Sequence, residues 1–322
     1  MHPAWSIIFF TSISGLGLGL AGFIVLGLVN LSLFLHFSVA MSVVFGLIGA
    51  GLLSSTLHLG HPERAWRALS QWRSSWLSRE GVLAILVLAL LSCWFAFTFF
   101  IGPPPLWSGF LILVLIIATV YATSMIYGSL KTVSCWHHPL TPVCYLMFSA
   151  CGGSLAFLSM LALFGQTIPG ILTEITFAFL IGTWALKFAW WWALDHSVSV
   201  STVETATGLG AMGKVRSLMP PHTSENYLQK EMGFVVARRH AIKLRYISIF
   251  FGGILPVICV IFSGSSAGGL SMACVFHIMG VFVERWLFFA EAKHVVTLYY
   301  GDEQLSIARS VSYTHLTLPT KA

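Results

Sequence analysis

Charged residues are scarce in this 322-residue chain: Lys, Arg, Asp and Glu make up 9% of it, whereas 57% is hydrophobic. A typical soluble domain has about 25% charged residues. With so little charge the protein cannot cover a water-exposed globular surface, which excludes a soluble enzyme, a disordered chain and a nucleic-acid-binding module. The composition is typical of an α-helical protein that crosses a membrane several times.

Cysteines are also few, and their spacing is not that of a metal site. The six Cys residues lie mostly inside apolar stretches, and no two of them have CxxC spacing. We therefore expect no zinc site, no iron–sulfur cluster and no disulfide framework in this protein.

Basic residues are missing before the first apolar stretch, and an unusual segment ends the chain. Because no Lys or Arg follows Met1 there, the first stretch is interpreted as a retained span rather than a cleavable signal peptide. Residues 310–322 are polar and unrelated to what precedes them. We interpret them as a non-native tail, similar to a translated sequencing adapter, and expect 1–309 to form one membrane domain.

Eight apolar stretches are long enough to cross about 30 Å of hydrocarbon as helices. They predict an all-α, polytopic membrane protein with eight transmembrane helices. Pro256 predicts a kink inside the seventh span rather than its end. The predicted spans are about 6–29, 39–58, 81–101, 108–128, 143–164, 174–194, 246–263 and 269–292.

The positive charges collect on one side of this arrangement. Of the 17 Lys and Arg residues, 14 fall on the side of the N-terminus, which we name side A, and the loops of the opposite side B contain none. The two long loops, about 59–80 and 195–245, also lie on side A. By the positive-inside rule side A, with both termini, is cytoplasmic. The alternative is that the basic loops bind a partner protein.

One glycine motif in the first span is misleading. Residues 17–22 match GxGxxG, but they lie inside an apolar span, and no acidic residue follows before Glu63. A dinucleotide site would need a preceding strand and an acidic residue about 20 positions later. We instead expect Gly15, Gly19 and Gly22 to form a small-residue stripe for close helix packing.

The first long loop carries residues suited to proton chemistry. His58 ends the predicted second span, and Glu80 precedes the third, so both are expected at the side-A interface. An imidazole and a carboxyl group at that depth can pass protons between water and a site beneath the headgroups. The alternative is ordinary interface chemistry, in which Glu80 caps a helix and His58 bonds a backbone carbonyl.

Three motifs resemble the membrane-anchor subunits of dimethyl sulfoxide reductase, the DmsC family. They are LHLGHPERAWRAL with the following WLSREG, then STVETATGL in the second long loop, and VERWLFFAEAKH at the end of the last span. The resemblance extends to about residue 309. It implies an eight-span anchor in a bacterial plasma membrane that binds an iron–sulfur subunit and a molybdopterin catalytic subunit in anaerobic respiration and oxidises menaquinol.

The resemblance also implies roles for individual residues. The family's quinol-site histidine falls on His58, which would take a proton from a quinol hydroxyl. The family's glutamate at the start of the next span falls on Glu80, which would relay protons towards side A. The electrons would pass to a cluster in the partner subunit. Further candidates for the quinol pocket are His61, Arg64, Glu204 and Glu284.

Ionisable residues in the last span leave two interpretations open. His277, Glu284 and Glu291 are spaced by seven residues and share one helix face. They favour either a polar strip that lines a quinol pocket or proton path, or a buried ion pair of Glu284 with an arginine that fixes helix packing, with Lys187 or Asp195 as candidate partners across helices.

Two other functions fit the sequence less well. A haem would need histidines that face each other within spans, and only His277 lies deep inside a predicted span, so we expect no haem. A transporter or other ion-translocating protein would place ionisable groups and broken helices near the midplane. Glu284 and Pro256 fit that pattern in part, but the acids and histidines crowd towards side A.

Overall fold

A computed structural model describes residues 4–27, 34–56, 61–196, 201–215 and 236–300. Predicted features that lie outside these ranges are His58 and the tail at 310–322. The described residues form an all-α structure, and eight helical segments among them are long and apolar enough to cross a membrane. The predicted fold class is therefore confirmed.

Ten α-helices make up the described part of the protein, and α8 and α9 form one span through a π-helical turn at Phe250–Ile254. The short α7 lies in the second long loop. The helices are α1 Trp5–Val25, α2 Phe34–Thr56, α3 Trp76–Phe100, α4 Leu106–Gly128, α5 Leu140–Leu163, α6 Gly170–Asp195, α7 Val203–Thr207, α8 Val236–Ile249, α9 Leu255–Ser263 and α10 Ala267–Ala290.

The third span begins earlier than its apolar stretch predicted. Ser75 caps α3, because its hydroxyl accepts a hydrogen bond from the Ser78 N–H at 3.5 Å. Glu80 therefore lies within the helix, about 6 Å along its axis from Trp76. The carboxyl group enters the membrane region instead of ending the preceding loop.

The side-A ends of three spans meet in an ion-pair cluster. Arg245 of α8 binds Asp195, the last residue of α6, through two hydrogen bonds of 2.7 and 3.2 Å. The same guanidinium lies 3.1 Å from the Glu291 carboxylate just beyond α10. The common end of these helices agrees with the alternating directions of an eight-span bundle. Burial raises the pKa of the Glu291 carboxyl above its usual range, although Arg245 opposes the shift.

Helices α1 and α5 pack closely at the centre of the bundle. A Cβ on Gly19 would lie 1.9 Å from the Ser149 carbonyl oxygen, so only glycine permits this approach. The predicted packing role of Gly19 is confirmed. The prediction is wrong for Gly15, where a Cβ would meet no atom within 4 Å, because this glycine faces a cavity.

A 3₁₀ helix at Pro62–Gln71 covers the side-A end of α3. The Arg79 guanidinium donates to the carbonyl oxygens of Trp72 and Arg73 at 3.0 and 2.7 Å. These bonds fix the first long loop against the span that carries Glu80.

Candidate functional site

Glu80 is a buried carboxyl group in a membrane span. Its side chain is 4% exposed and forms a hydrogen bond with the Thr123 hydroxyl of α4. No Lys or Arg lies within ion-pair distance of Glu80 among the described residues. A carboxylate in such a place is costly when charged, so Glu80 has the setting of a group that exchanges a proton rather than one that stabilises a fold.

Thr123 connects the Glu80 carboxyl group of α3 to the backbone of α4. Its hydroxyl lies 3.1 Å from the Thr119 carbonyl oxygen, which can only accept a hydrogen bond. A hydroxyl has a single proton to donate. When Glu80 holds a proton, it can donate to Thr123 while Thr123 donates to Thr119, so the pair accommodates both states of the carboxyl group.

Thr123 also lines a cavity enclosed by α1, α4, α5 and α10. The space available to the centres of water molecules is about 30 Å³. One water needs roughly 10–15 Å³ by this measure, so the cavity can hold about two. It is too small for the bicyclic head group of a menaquinol.

Four buried polar atoms around this cavity have no hydrogen-bond partner among the described residues. Most buried polar groups in proteins are paired with protein atoms or ordered water. The four residues that carry them belong to three helices, and all four residues line the cavity. They are Ser12 Oγ, Tyr145 Oη, His277 Nε2 and Arg285 Nε.

The proline of the seventh span orients His277. Pro256 has no N–H to donate to the carbonyl oxygen of Gly252, four residues earlier. That oxygen instead lies 2.8 Å from the Trp184 indole nitrogen and 2.7 Å from His277 Nδ1. A carbonyl oxygen only accepts, so Nδ1 carries a proton, and in the neutral imidazole Nε2 offers a lone pair to the cavity. Where the sequence predicted a kink, the structure has a π-helical turn at Phe250–Ile254, just before Pro256.

Glu284 lies in a buried ion-pair cluster. Its carboxylate is 2.6 Å from Lys187 Nζ of α6 and 3.4 Å from Arg285 Nη1. Lys187 also lies over the Trp190 ring, at 3.4 Å from its centre, and Arg285 over the Tyr145 ring, at 3.7 Å. The structure thus contains the ion pair that one interpretation predicted. Arg285 lines the cavity, and Glu284 is not among its lining residues in the described part of the protein.

The other predicted pocket residues lie apart from the cavity; His61 and Arg64 are exposed, and Glu204 is partly buried. His61 Nδ1 lies 3.0 Å from a Glu63 carboxylate oxygen, and Arg64 lies 3.8 Å from that oxygen. Glu204 accepts a hydrogen bond from the Val215 N–H at 3.2 Å and so closes a local turn. Hydrogen bonds from its own backbone N–H, from Thr202 and from Val215 lower the pKa of Glu204.

The structure brings together a different set of residues from the one that the motifs suggested. Glu80 contacts Thr123, which shares a cavity with Tyr145, His277 and Arg285. In the described part of the protein, no hydrogen bond or ion pair joins Glu80 to His61, Arg64, Glu204 or Glu284. The sequence indicates these cavity residues only weakly, because they are isolated Thr, Ser and Tyr side chains inside apolar stretches. Across the described ranges, no three His, Cys, Asp or Glu side chains are arranged to hold a metal ion.

Comparison with known proteins agrees with the fold and the motifs. The C subunit of sulfite dehydrogenase from Allochromatium vinosum is 31% identical over 333 aligned positions, which cover 93% of this chain and 99% of that protein. The C polypeptide of the anaerobic dimethyl sulfoxide reductase of Escherichia coli is 30% identical over 170 positions, 50% of this chain and 58% of that one. The family model "DMSO reductase anchor subunit (DmsC)" matches residues 1–301. The chain therefore belongs to the DmsC family of membrane-anchor subunits.

Proposed function

We propose that this protein anchors an oxidoreductase complex in the bacterial plasma membrane and exchanges electrons between menaquinol and a partner iron–sulfur subunit. The partner would pass the electrons to a molybdopterin catalytic subunit in anaerobic respiration. Family membership supports the anchor role. The quinol chemistry is proposed from the resemblance of the motifs and from the burial of Glu80.

The burial of Glu80 carries this proposal. Oxidation of a quinol releases two electrons and two protons, so a quinol site needs acid–base groups at membrane depth. Glu80 lies in the second turn of a span, near side A, with one hydroxyl partner and no cation beside it among the described residues. We propose that His58, whose position is not described, takes a proton from a quinol hydroxyl and that Glu80 relays protons.

The quinol would bind outside the cavity, against the side-A end of α3. The 3₁₀ helix Pro62–Gln71 forms the polar boundary of that region. Its exposed Arg64 and Trp66, together with Trp72, provide aromatic and cationic groups at the membrane surface. Such groups can bind lipid headgroups or a partner subunit. We propose that the partner binds on side A, where the long loops are.

Electrons can flow in either of two directions in such a complex: from a quinol to the partner subunit, or from the partner subunit to a quinone. The relative that covers 93% of the chain is a subunit of a sulfite dehydrogenase, an enzyme named for an oxidation. In such a complex the anchor would reduce a quinone, and Glu80 would deliver protons instead of removing them. Assaying the purified complex with menaquinol plus dimethyl sulfoxide, and separately with a quinone plus sulfite, distinguishes the two directions.

Exchange of Glu80 for glutamine tests the proposed function. Glu80→Gln retains the hydrogen bond to Thr123 but cannot exchange a proton, so we expect quinol oxidation or quinone reduction to fall by about a hundredfold. His58→Ala is expected to abolish it. The measurement is quinol-dependent turnover of the complex in membranes, with partner subunits quantified in the same preparation.

Glu174→Gln is the matched control, because Glu174 is an exposed glutamate of α6 near side B. It should leave turnover unchanged. Wild-type quinol turnover in Glu80→Gln, with the complex assembled, would contradict the assignment.

A further inference from the structure

The cavity between α1, α4, α5 and α10 extends the side-A site towards the middle of the membrane. Thr123 is hydrogen-bonded to Glu80 and lines the part of the cavity that is nearer to side A. His277 lines it from α10 and lies about 20 Å along the helix axis from Ala290. The cavity thus joins a proton-exchanging carboxyl group to an imidazole at greater depth.

Hydrogen-bond chemistry indicates what the cavity binds. Tyr145 Oη and Ser12 Oγ can donate and accept, Arg285 Nε only donates, and His277 Nε2 accepts in the neutral tautomer. An apolar occupant would satisfy none of these atoms. A water molecule can bond to two or more of them, and the volume fits about two waters.

We propose that this cavity binds a small cluster of ordered water molecules that connects Glu80 and Thr123 with His277, and that His277 is a buried proton acceptor. In the transfer, the O–H bond of the protonated Glu80 breaks, protons shift along Thr123 and the waters, and an N–H bond forms at His277 Nε2. The proton returns by the same path. The water site stands on geometry alone, and the role of His277 rests on the proposed quinol function.

The hydrogen bond at Nδ1 favours an acceptor role for His277, whereas burial of the ring opposes a positive charge on it. Its Nδ1 is engaged with the Gly252 carbonyl, which Pro256 leaves without an N–H donor at the usual helical position. The ring is 1% exposed in the described part of the protein, and His277 lines the cavity, which can bring water to Nε2. The fixed ring orientation leaves one nitrogen for proton uptake, as a terminal acceptor requires.

The water site is tested by an electron cryo-microscopy map of the purified complex at a resolution that reveals water. We expect density for about two waters within hydrogen-bond distance of His277 Nε2, Tyr145 Oη and Arg285 Nε. A cavity without density, or one filled by an acyl chain, would overturn the proposal. This result does not depend on quinol turnover.

The proton role is tested with His277→Gln, which can still donate to Gly252 but cannot take up a proton. We expect quinol turnover to fall by about tenfold or more, with a larger solvent isotope effect and an unchanged affinity for a fluorescent quinol analogue. The control is His137→Gln, since His137 Nδ1 also lies 2.6 Å from a backbone carbonyl oxygen but is outside the cavity.

The outcomes separate this inference from the proposed function. Normal turnover and isotope effect in His277→Gln, beside a loss in Glu80→Gln, would overturn the role of His277 and leave the quinol site intact. Absence of quinol turnover in the wild-type complex would reject the quinol function, while the map still decides the water site. Loss of quinol affinity in His277→Gln would assign the residue to quinol binding and contradict its role as a proton acceptor.

Discussion

The buried ionisable residues of this bundle fall into two groups. Lys187 and Glu284 form an ion pair 2.6 Å long with both side chains almost fully buried. Among the described residues, the partner of Glu80 is a hydroxyl group and not a cation. A paired charge contributes to a unique packing arrangement, whereas a carboxyl group without a cation can change its proton content at lower cost to the fold.

Removal of Lys187 should therefore destabilise the protein. Lys187→Met leaves Glu284 with Arg285 alone, at 3.4 Å, and we expect the free energy of unfolding to fall by about 3 kcal/mol. Thermal unfolding in detergent measures the effect, with the exposed Lys131→Met as the control.

The pairwise nature of this interaction can be tested in the same assay. Adding Glu284→Gln to Lys187→Met removes the carboxylate that has lost its Lys187 partner, so the double variant should lose less stability than the sum of the two single variants. Equal stability of Lys187→Met and Lys131→Met would contradict a role for the ion pair.

Helices α1 and α5 are in close contact at glycine positions, where no side chain separates the two backbones. Gly19 lies against the backbone of Ser149 and Gly153, and backbone atoms cannot turn aside as a side chain does. This close packing sets the position of α1 along the cavity, since Ser12 and Gly15 of the same helix line it.

Gly19→Ala should separate these helices and destabilise the protein by about 1–3 kcal/mol through overpacking. The matched control is Gly46→Ala in α2, where a Cβ would meet no atom within 4 Å. That change should be neutral or stabilise by up to about 1 kcal/mol, because alanine favours a helix. Equal melting temperatures for the two variants in detergent would argue against the close contact.

At the scale of the whole molecule, the basic residues distinguish the two faces of the bundle. Fourteen of 17 Lys and Arg residues fall on side A, as do both long loops. The positive-inside rule and the docking of an acidic partner surface both produce this pattern. The orientation of the protein in the membrane decides between them.

A reporter fused after Tyr300 measures this orientation. The positive-inside rule predicts that a fluorescent protein that matures in the cytoplasm is active there and that alkaline phosphatase is not. Active phosphatase, with side A outside the cytoplasm, would mean that the charges serve partner binding.

The family and the eight spans could be read from the sequence, and the sequence also singled out Glu80, which the structure shows to be buried in a span. Span prediction succeeds because hydrocarbon demands a long apolar helix for each crossing, which is a local property of the sequence. The LHLG and WLSREG motifs likewise required no knowledge of contacts. The boundaries at side A were less accurate, since capping by Ser75 and the ion pairs of Arg245 extend helices into polar sequence.

The partners of each polar residue were decided only by the tertiary structure. Spacing placed His277 and Glu284 on one helix face, but it did not reveal that one faces a cavity and the other pairs with Lys187. Those outcomes depend on which helices lie beside α10, and apolar spans carry little information about their neighbours. Sequence alone determined how many times the protein crosses the membrane, and packing determined which buried groups form ion pairs and which line the cavity.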